Sequence, residues 1–301
     1  MNNSDIRKRL FHIHYAAAGN SALVHALRQQ DPDLQRIYRS PFTPSGRFRR
    51  STVQQFYQRL QNIGMEEGSD AVARSGGAVI TILDDDYPAQ LKDLHTPPAV
   101  LYVKGFSSML HDDLSLAVVG SRYPSAHALE TMKDILAPLH PVPVTIVSGL
   151  ARGIDTAAHV QAVQNNGRTI AVLGCGFNHV YPESSRSVQE YMGRSQLLVS
   201  EYPPDVRPEK WFFPQRNRII SGLSSAVFVV EAKERSGTLI TAEAALELGR
   251  NVLALPGRIT DPNAAGTNKL IQDGAGMVLR PEDVMEELMS AAARQRSCLT
   301  N

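Results

Sequence analysis

Four short clusters of small and basic residues invite a chemical reading: Gly120-Ser121-Arg122, Ser148-Gly149-Leu150-Ala151-Arg152-Gly153, Gly174-Cys175-Gly176 and Ser236-Gly237-Thr238. Glycine and serine at a strand-to-helix turn let backbone N–H groups point outward, and the N-terminus of a following helix favours an anion. Four such turns exceed what a single nucleotide requires, whereas a phosphodiester backbone laid along them would use them all. The segment 209–218 adds Lys210, Arg216 and Arg218 to Trp211, Phe212 and Phe213, with Asn217 between the two arginines. Single strands are held by this combination: lysine and arginine track phosphates, and bases stack on aromatic faces at roughly 1–3 kcal/mol each. Aromatics ahead of a helix at 216–223 also serve as core, and at least one of the three is expected to be buried.

Catalytic signatures are sparse. No G-x-x-x-x-G-K-[ST] occurs, which argues against P-loop hydrolysis of a nucleotide. Gly174-Cys175-Gly176 begins a dinucleotide fingerprint, but His179 occupies its third glycine position and Pro182 interrupts an immediate helix. Asp155 and His159 stand four residues apart on one helix face, a spacing that suits a metal or acid–base work but more often a structural pair. Two cysteines, Cys175 and Cys298, with scattered histidines do not make a zinc site. The expectation is a binding protein with no catalytic residue, no metal and no cofactor.

The clusters need a scaffold, and the apolar pattern supplies one. Short apolar runs at 116–119, 144–147, 169–173, 197–200, 226–230 and 252–255 alternate with helical stretches. That alternation predicts an α/β domain with a Rossmann-like, mostly parallel sheet, because parallel neighbours need crossover connections. Ligands bind such sheets beyond the carboxyl ends of the strands, where the four clusters fall. A further short strand is expected at 274–278 and a closing helix at 281–289. Before the sheet, Ile6, Leu10, Ile13 and Ala17, then Leu23, Ala26 and Leu27, then Val53, Phe56, Tyr57 and Leu60 recur at helical spacing, broken at 40–46. The expected organisation is a small helical domain over 1–72, a Rossmann-like domain over 73–289 that opens with the apolar run 78–83, and a tail over 290–301.

Hydrophobic residues make up 43% and charged residues 20%, ordinary values for a folded chain. The net charge of +1 hides an asymmetry. Residues 1–60 carry ten basic side chains against three acids, and 61–113 reverse the balance with the run Asp84-Asp85-Asp86. The N-terminal cluster reads equally well as a solvated face or a nucleic-acid contact. No apolar run approaches the roughly 20 residues that span a bilayer, and the N-terminus lacks a signal core, so a cytoplasmic protein without membrane contact is expected.

Taken together the motifs resemble those of the DNA-processing protein A (DprA/Smf) family. They stand as VVGSR at 118–122, SGLARGID at 148–155 with His159, GCG at 174–176 with Tyr181-Pro182, SEYPP at 200–204, FPQRNRIISGLS at 213–224, VVEAKERSGTLITAEAA at 229–245 and LPGRITDPNAAGTNKLIQDGA at 255–275. The resemblance runs over about 200 residues and implies a Rossmann-like core that binds single-stranded DNA, forms a homodimer and loads the RecA recombinase during natural transformation. It also implies DNA contacts at Arg122, Lys210, Phe213, Arg216, Asn217 and Arg218, and a sterile-alpha-motif-like character for the helical N-terminus; the winged-helix domain that many members carry after the core is not expected in the tail at 290–301. Gly120, Ser121, Ser148, Gly149, Ser236, Gly237 and Thr238 complete the expected nucleic-acid-binding set through their turns. One enzymatic alternative rests on 236–243, which is similar to the GGxGTxxE element of nucleotide phosphoribohydrolases, with Glu243 as the carboxylate that would stabilise an oxocarbenium-like ribose. Ser236-Gly237 replaces the usual double glycine there, and the spacing from threonine to glutamate is two residues longer.

Overall fold

The computed structural model describes residues 3–42, 44, 48–139 and 141–299. Thr43, Ser45 and Gly46 of the expected helix break, and Arg47 of the basic cluster, lie outside the described residues. The chain divides into two compact units.

The first unit gathers residues 1–104, 175–179 and 200–208. Five helices open it: α1 (Asn3–Ala16), α2 (Ser21–Gln30), α3 (Arg36–Arg39), α4 (Arg50–Asn62) and α5 (Glu67–Arg74). The Asn20 side chain caps α2 by accepting from the Leu23 N–H at 3.0 Å. Leu10, Ile13, Leu23, Val24, Leu27, Phe56 and Leu60 close a common core, so the helical spacing read from the sequence marks a buried face. Two strands follow, β1 (Ala78–Thr81) and β2 (Val100–Gly105), paired antiparallel with Ile80 opposite Leu101. The sequence pattern had not distinguished β2.

The second unit holds residues 105–174, 180–199 and 209–301. Its elements are β3 (Leu114–Val119), α6 (Ala126–Leu136), β4 (Val144–Ser148), α7 (Ile154–Gln164), β5 (Arg168–Leu173), α8 (Arg186–Ser195) and β6 (Leu197–Ser200). Then come α9 (Phe212–Gly222), β7 (Ala226–Val229), α10 (Gly237–Glu247), β8 (Asn251–Ala254), α11 (Ala265–Gln272), β9 (Gly276–Met277) and α12 (Pro281–Leu299). The strands run in the order β6-β5-β4-β3-β7-β8-β9. The pairs β3–β4, β3–β7, β4–β5, β7–β8 and β8–β9 are all parallel, with Leu116 opposite both Ile146 and Ala226. Every residue of β3 is buried, as expected of a central parallel strand covered on both faces. The expected α/β, Rossmann-like sheet is therefore present. Helix α9 begins earlier than the sequence suggested, at Phe212, and α12 continues to Leu299, past the expected end at 289. Among the described residues no helix is long and apolar enough to cross a membrane.

Candidate functional site

The chain runs outward from β3 through β4 and β5, then returns to place β7 on the other side of β3. Helices that follow β3 and β7 thus leave the sheet in opposite directions, which opens a crevice beyond the strand ends. A groove of about 640 Å³ occupies that place. Its walls come from the end of β3 (Val119 to Tyr123), the first turn of α7 (Asp155), Tyr181, the start of α9 (Lys210 to Asn217), the segment after β7 (Ala232, Lys233) and the start of α10 (Ser236 to Thr241).

Of the four turns named from the sequence, two line the groove throughout, and of the turn at 148–153 only Ala151 reaches it. Gly120, Ser121 and Arg122 line one side and Ser236, Gly237 and Thr238 the other, tied together by the Thr238 hydroxyl donating to the Gly120 carbonyl at 3.1 Å. The Ser148–Gly149 turn is committed elsewhere. Ser148 is fully buried and its hydroxyl donates to the Val118 carbonyl at 2.6 Å, while the Gly149 N–H donates to Asp155 Oδ2 at 3.2 Å. Neither residue lines the groove. Gly174 backs onto Phe213, where a Cβ would stand 2.8 Å from the ring, and no helix follows it directly.

The basic residues separate into three kinds. Arg122 and Lys210 are exposed on the groove, and Lys233, unmarked in the sequence reading, joins them. None of the three makes an ion pair among the described residues, whereas Arg168, Arg186, Lys269 and Arg280 all do. Arg216 is only 4% exposed. Its Nη1 donates to the Gly149 carbonyl at 2.5 Å and also to the Val172 carbonyl, and its Nε donates to Asn217 Oδ1 at 3.1 Å. It forms floor rather than rim. Arg218 is half-buried on α9 and is not among the lining residues. Asn217 lines the groove and bridges it by donating to the Gly237 carbonyl at 3.3 Å.

The aromatics divide as well. Phe212 is buried against Trp211, ring centroids 4.2 Å apart, and Trp211 stays half exposed. Phe213 faces the groove and leans on Tyr181 at 5.0 Å with the rings tilted by 37°. Tyr181 is a lining residue the sequence reading did not single out as a contact. Its place in the Tyr181-Pro182 element was the signal available.

Beneath the groove lies a buried polar layer. Burial pushes the Asp155 carboxyl up from its ordinary value, and the Arg216 guanidinium is the largest influence pulling it back. His159 is fully buried, and burial followed by Arg216 lowers its pKa to about 3. The Thr169 hydroxyl donates to the Ile146 carbonyl, so it accepts from His159 Nδ1–H at 2.6 Å and fixes a neutral tautomer. This pair is structural in its surroundings. Among the lining residues Asp155 alone is acidic, so the rim is cationic over a floor whose charges are matched. Ser236 Oγ is buried and has no hydrogen-bond partner among the described residues, leaving a hydroxyl at the groove for a ligand to satisfy. No cluster of three or more metal-ligating side chains is found among the described residues.

The chain is 42% identical over 239 residues to the DNA processing protein DprA of Bacillus subtilis, covering 79% of each. The X-ray structure of DNA processing protein A from Streptococcus pneumoniae superposes with a TM-score of 0.79 at 37% identity, covering 96% of this chain and 98% of that one. The structure of DNA processing protein A from Helicobacter pylori, described for its unique single-stranded DNA binding mode, gives 0.65 at 27% identity over 71% of this chain and 96% of that one. Residues 78–289 match the model of the DNA recombination-mediator protein A family, and with relatives this similar over this much of its length the chain belongs to that family.

Proposed function

We propose that this chain binds single-stranded DNA in the groove at the ends of β3 and β7, as a recombination mediator that protects incoming DNA and loads RecA during natural transformation. One observation carries the reading: Arg122, Lys210 and Lys233, without an ion pair among the described residues, line one groove with the Tyr181–Phe213 ring pair and with Ser236, whose hydroxyl has no partner among those residues. Phosphates satisfy the cations and hydroxyl, and the rings offer a face to bases of any sequence. Gly120, Ser121, Gly237 and Thr238 shape the walls, and Arg216 with Asn217 holds the floor. The role is binding rather than catalysis. Glu243, the carboxylate that a phosphoribohydrolase would require, is exposed on α10 and does not line the groove. The homodimer and recombinase surfaces of this proposal lie away from the groove, in the last third of the chain: α10, where Glu243, Leu246 and Glu247 are exposed, and the C-terminal helix near 281–289.

The test is a gel shift with single- and double-stranded oligonucleotides across a salt series, with the complexes sized. Four or five neutralised phosphates give a logarithmic salt slope of roughly −3 on a single strand. A flat titration, or release of base from a nucleoside monophosphate, would overturn the reading.

A further inference from the structure

A second cavity of about 610 Å³ lies beside the groove, between α6 and α7. Arg122 and Tyr123 line both, so the two adjoin at the loop after β3. From that junction the second cavity follows α7 through Gly153, Ala157, Val160, Gln161 and Gln164, facing Leu129 and Lys133 on α6. Gly153 to Gln164 is about 16 Å of helix at 1.5 Å per residue, so the cavity is a channel rather than a pit.

Its chemistry is that of the groove. No lining residue is acidic. Arg152 and Lys133 make no ion pair among the described residues, and they stand at the mouth and toward the far end. Tyr123 is 70% exposed at the junction, with the Arg152 guanidinium 4.4 Å over its ring centroid. A large aromatic so exposed on a soluble surface, braced by a cation on one face, is a ready platform for a base on the other. Pro124, Leu129, Ala157 and Val160 give the channel an apolar wall between its cations.

We propose that the α6–α7 channel is a second station for the same single strand, which leaves the groove past Arg122, stacks at Tyr123 and lays its phosphates against Arg152 and Lys133. The inference rests on the groove being a single-strand site. It adds a direction of exit and a longer footprint: short oligonucleotides fill the groove, and longer ones occupy the channel as well.

The test compares oligothymidylates of about five and about twenty nucleotides, lengths that bracket common single-strand site sizes. The full-length chain carries Lys133→Gln with Arg152→Gln, and Lys210→Ala serves as the groove control. The double variant binds the short probe as the unchanged protein does. It binds the long probe about tenfold more weakly, with a salt slope shallower by about 1.4 for two lost phosphate contacts. If the double variant loses thermal stability, Lys133→Gln alone is measured, with a slope change of about 0.7. Unchanged affinity and slope for the long probe, while Lys210→Ala weakens both probes, overturns the channel and leaves the groove standing. Equal loss of both probes by the double variant overturns the channel as a separate station. Absence of binding by the unchanged protein removes groove and channel together.

Discussion

Arg216 Nη1 donates to the Gly149 carbonyl at 2.5 Å, and a Cβ on Gly149 would stand 2.3 Å from that same nitrogen. The glycine is required because the guanidinium occupies the space a side chain would fill. Arg216→Ala should therefore act first on stability. It leaves the Gly149 and Val172 carbonyls without their donor and removes the cation that offsets the burial of Asp155, and unsatisfied buried acceptors of this kind cost about 1–3 kcal/mol. Gly149→Ala should lower stability too by displacing Arg216. Denaturant unfolding checks both; a stable Arg216→Ala protein that no longer binds DNA would make Arg216 a direct contact instead.

Arg122→Ala should behave in the opposite way. The side chain is exposed and makes no ion pair among the described residues, so the thermal midpoint should move little. Affinity for a single strand should fall, and the salt slope should become shallower by about 0.7 for one phosphate contact. An unchanged slope would place Arg122 off the DNA path.

Phe213→Ala removes a ring that faces the groove and leans on Tyr181. The expected loss is ~1–3 kcal/mol of binding, the usual value of a base–aromatic stack, with the salt slope preserved. Phe212→Ala should unfold the protein more readily without this selective effect, because Phe212 is core. Titrations at two salt concentrations separate the two outcomes.

The buried histidine gives a pH dependence. His159 is held at about 3 in the folded chain against an ordinary value of 6.5. Between those values the unfolded chain binds a proton that the folded chain refuses, so stability is full above about pH 6.5 and falls as pH drops toward 3. From pH 7.5 to 5.5 this residue alone accounts for about 1.4 kcal/mol of lost stability. Urea unfolding of His159→Gln at the two pH values should show a smaller loss than the unchanged protein. Equal losses would mean that His159 titrates normally.

Glu247→Lys should alter self-association or recombinase capture while leaving single-strand affinity within about twofold, since the residue is exposed on α10 and does not line the groove. Sedimentation, pull-down and oligonucleotide binding on one preparation decide it. Loss of DNA binding alone would show the partner surface to be misplaced.

The sheet was legible because its strands are apolar runs closed by small residues, and their parallel pairing followed from alternation with helices; the strand order did not. Strand β2 escaped because Val100-Leu101-Tyr102-Val103 is a short continuous apolar run, which periodicity alone does not separate from buried helix or loop. Arg216 was read as a DNA contact from its company of basic residues and from the resemblance. Its spacing held the contrary signal: Phe212, Arg216, Ile219 and Ile220 recur on one face of α9, and all four are buried. Ser148 and Gly149 have the right types for an anion turn, but residue types do not disclose that a neighbouring strand, a carboxylate and a guanidinium already use their polar groups.

The reversal of strand order around β3 also governs when the groove comes into being. Its walls are drawn from positions as far apart as Val119 and Thr241, so no local stretch of chain contains a partial version of it. Closing contacts over such separations is slow and costs loop entropy that is returned only once the whole sheet has assembled. During synthesis, a nascent chain has no groove until α10 has emerged and docked. A proteolytic cut between β6 and β7 would abolish binding even with every lining residue still present on one fragment or the other. A bound strand, gripping both sides of the reversal, acts as a clasp across it and slows opening of the sheet from its middle.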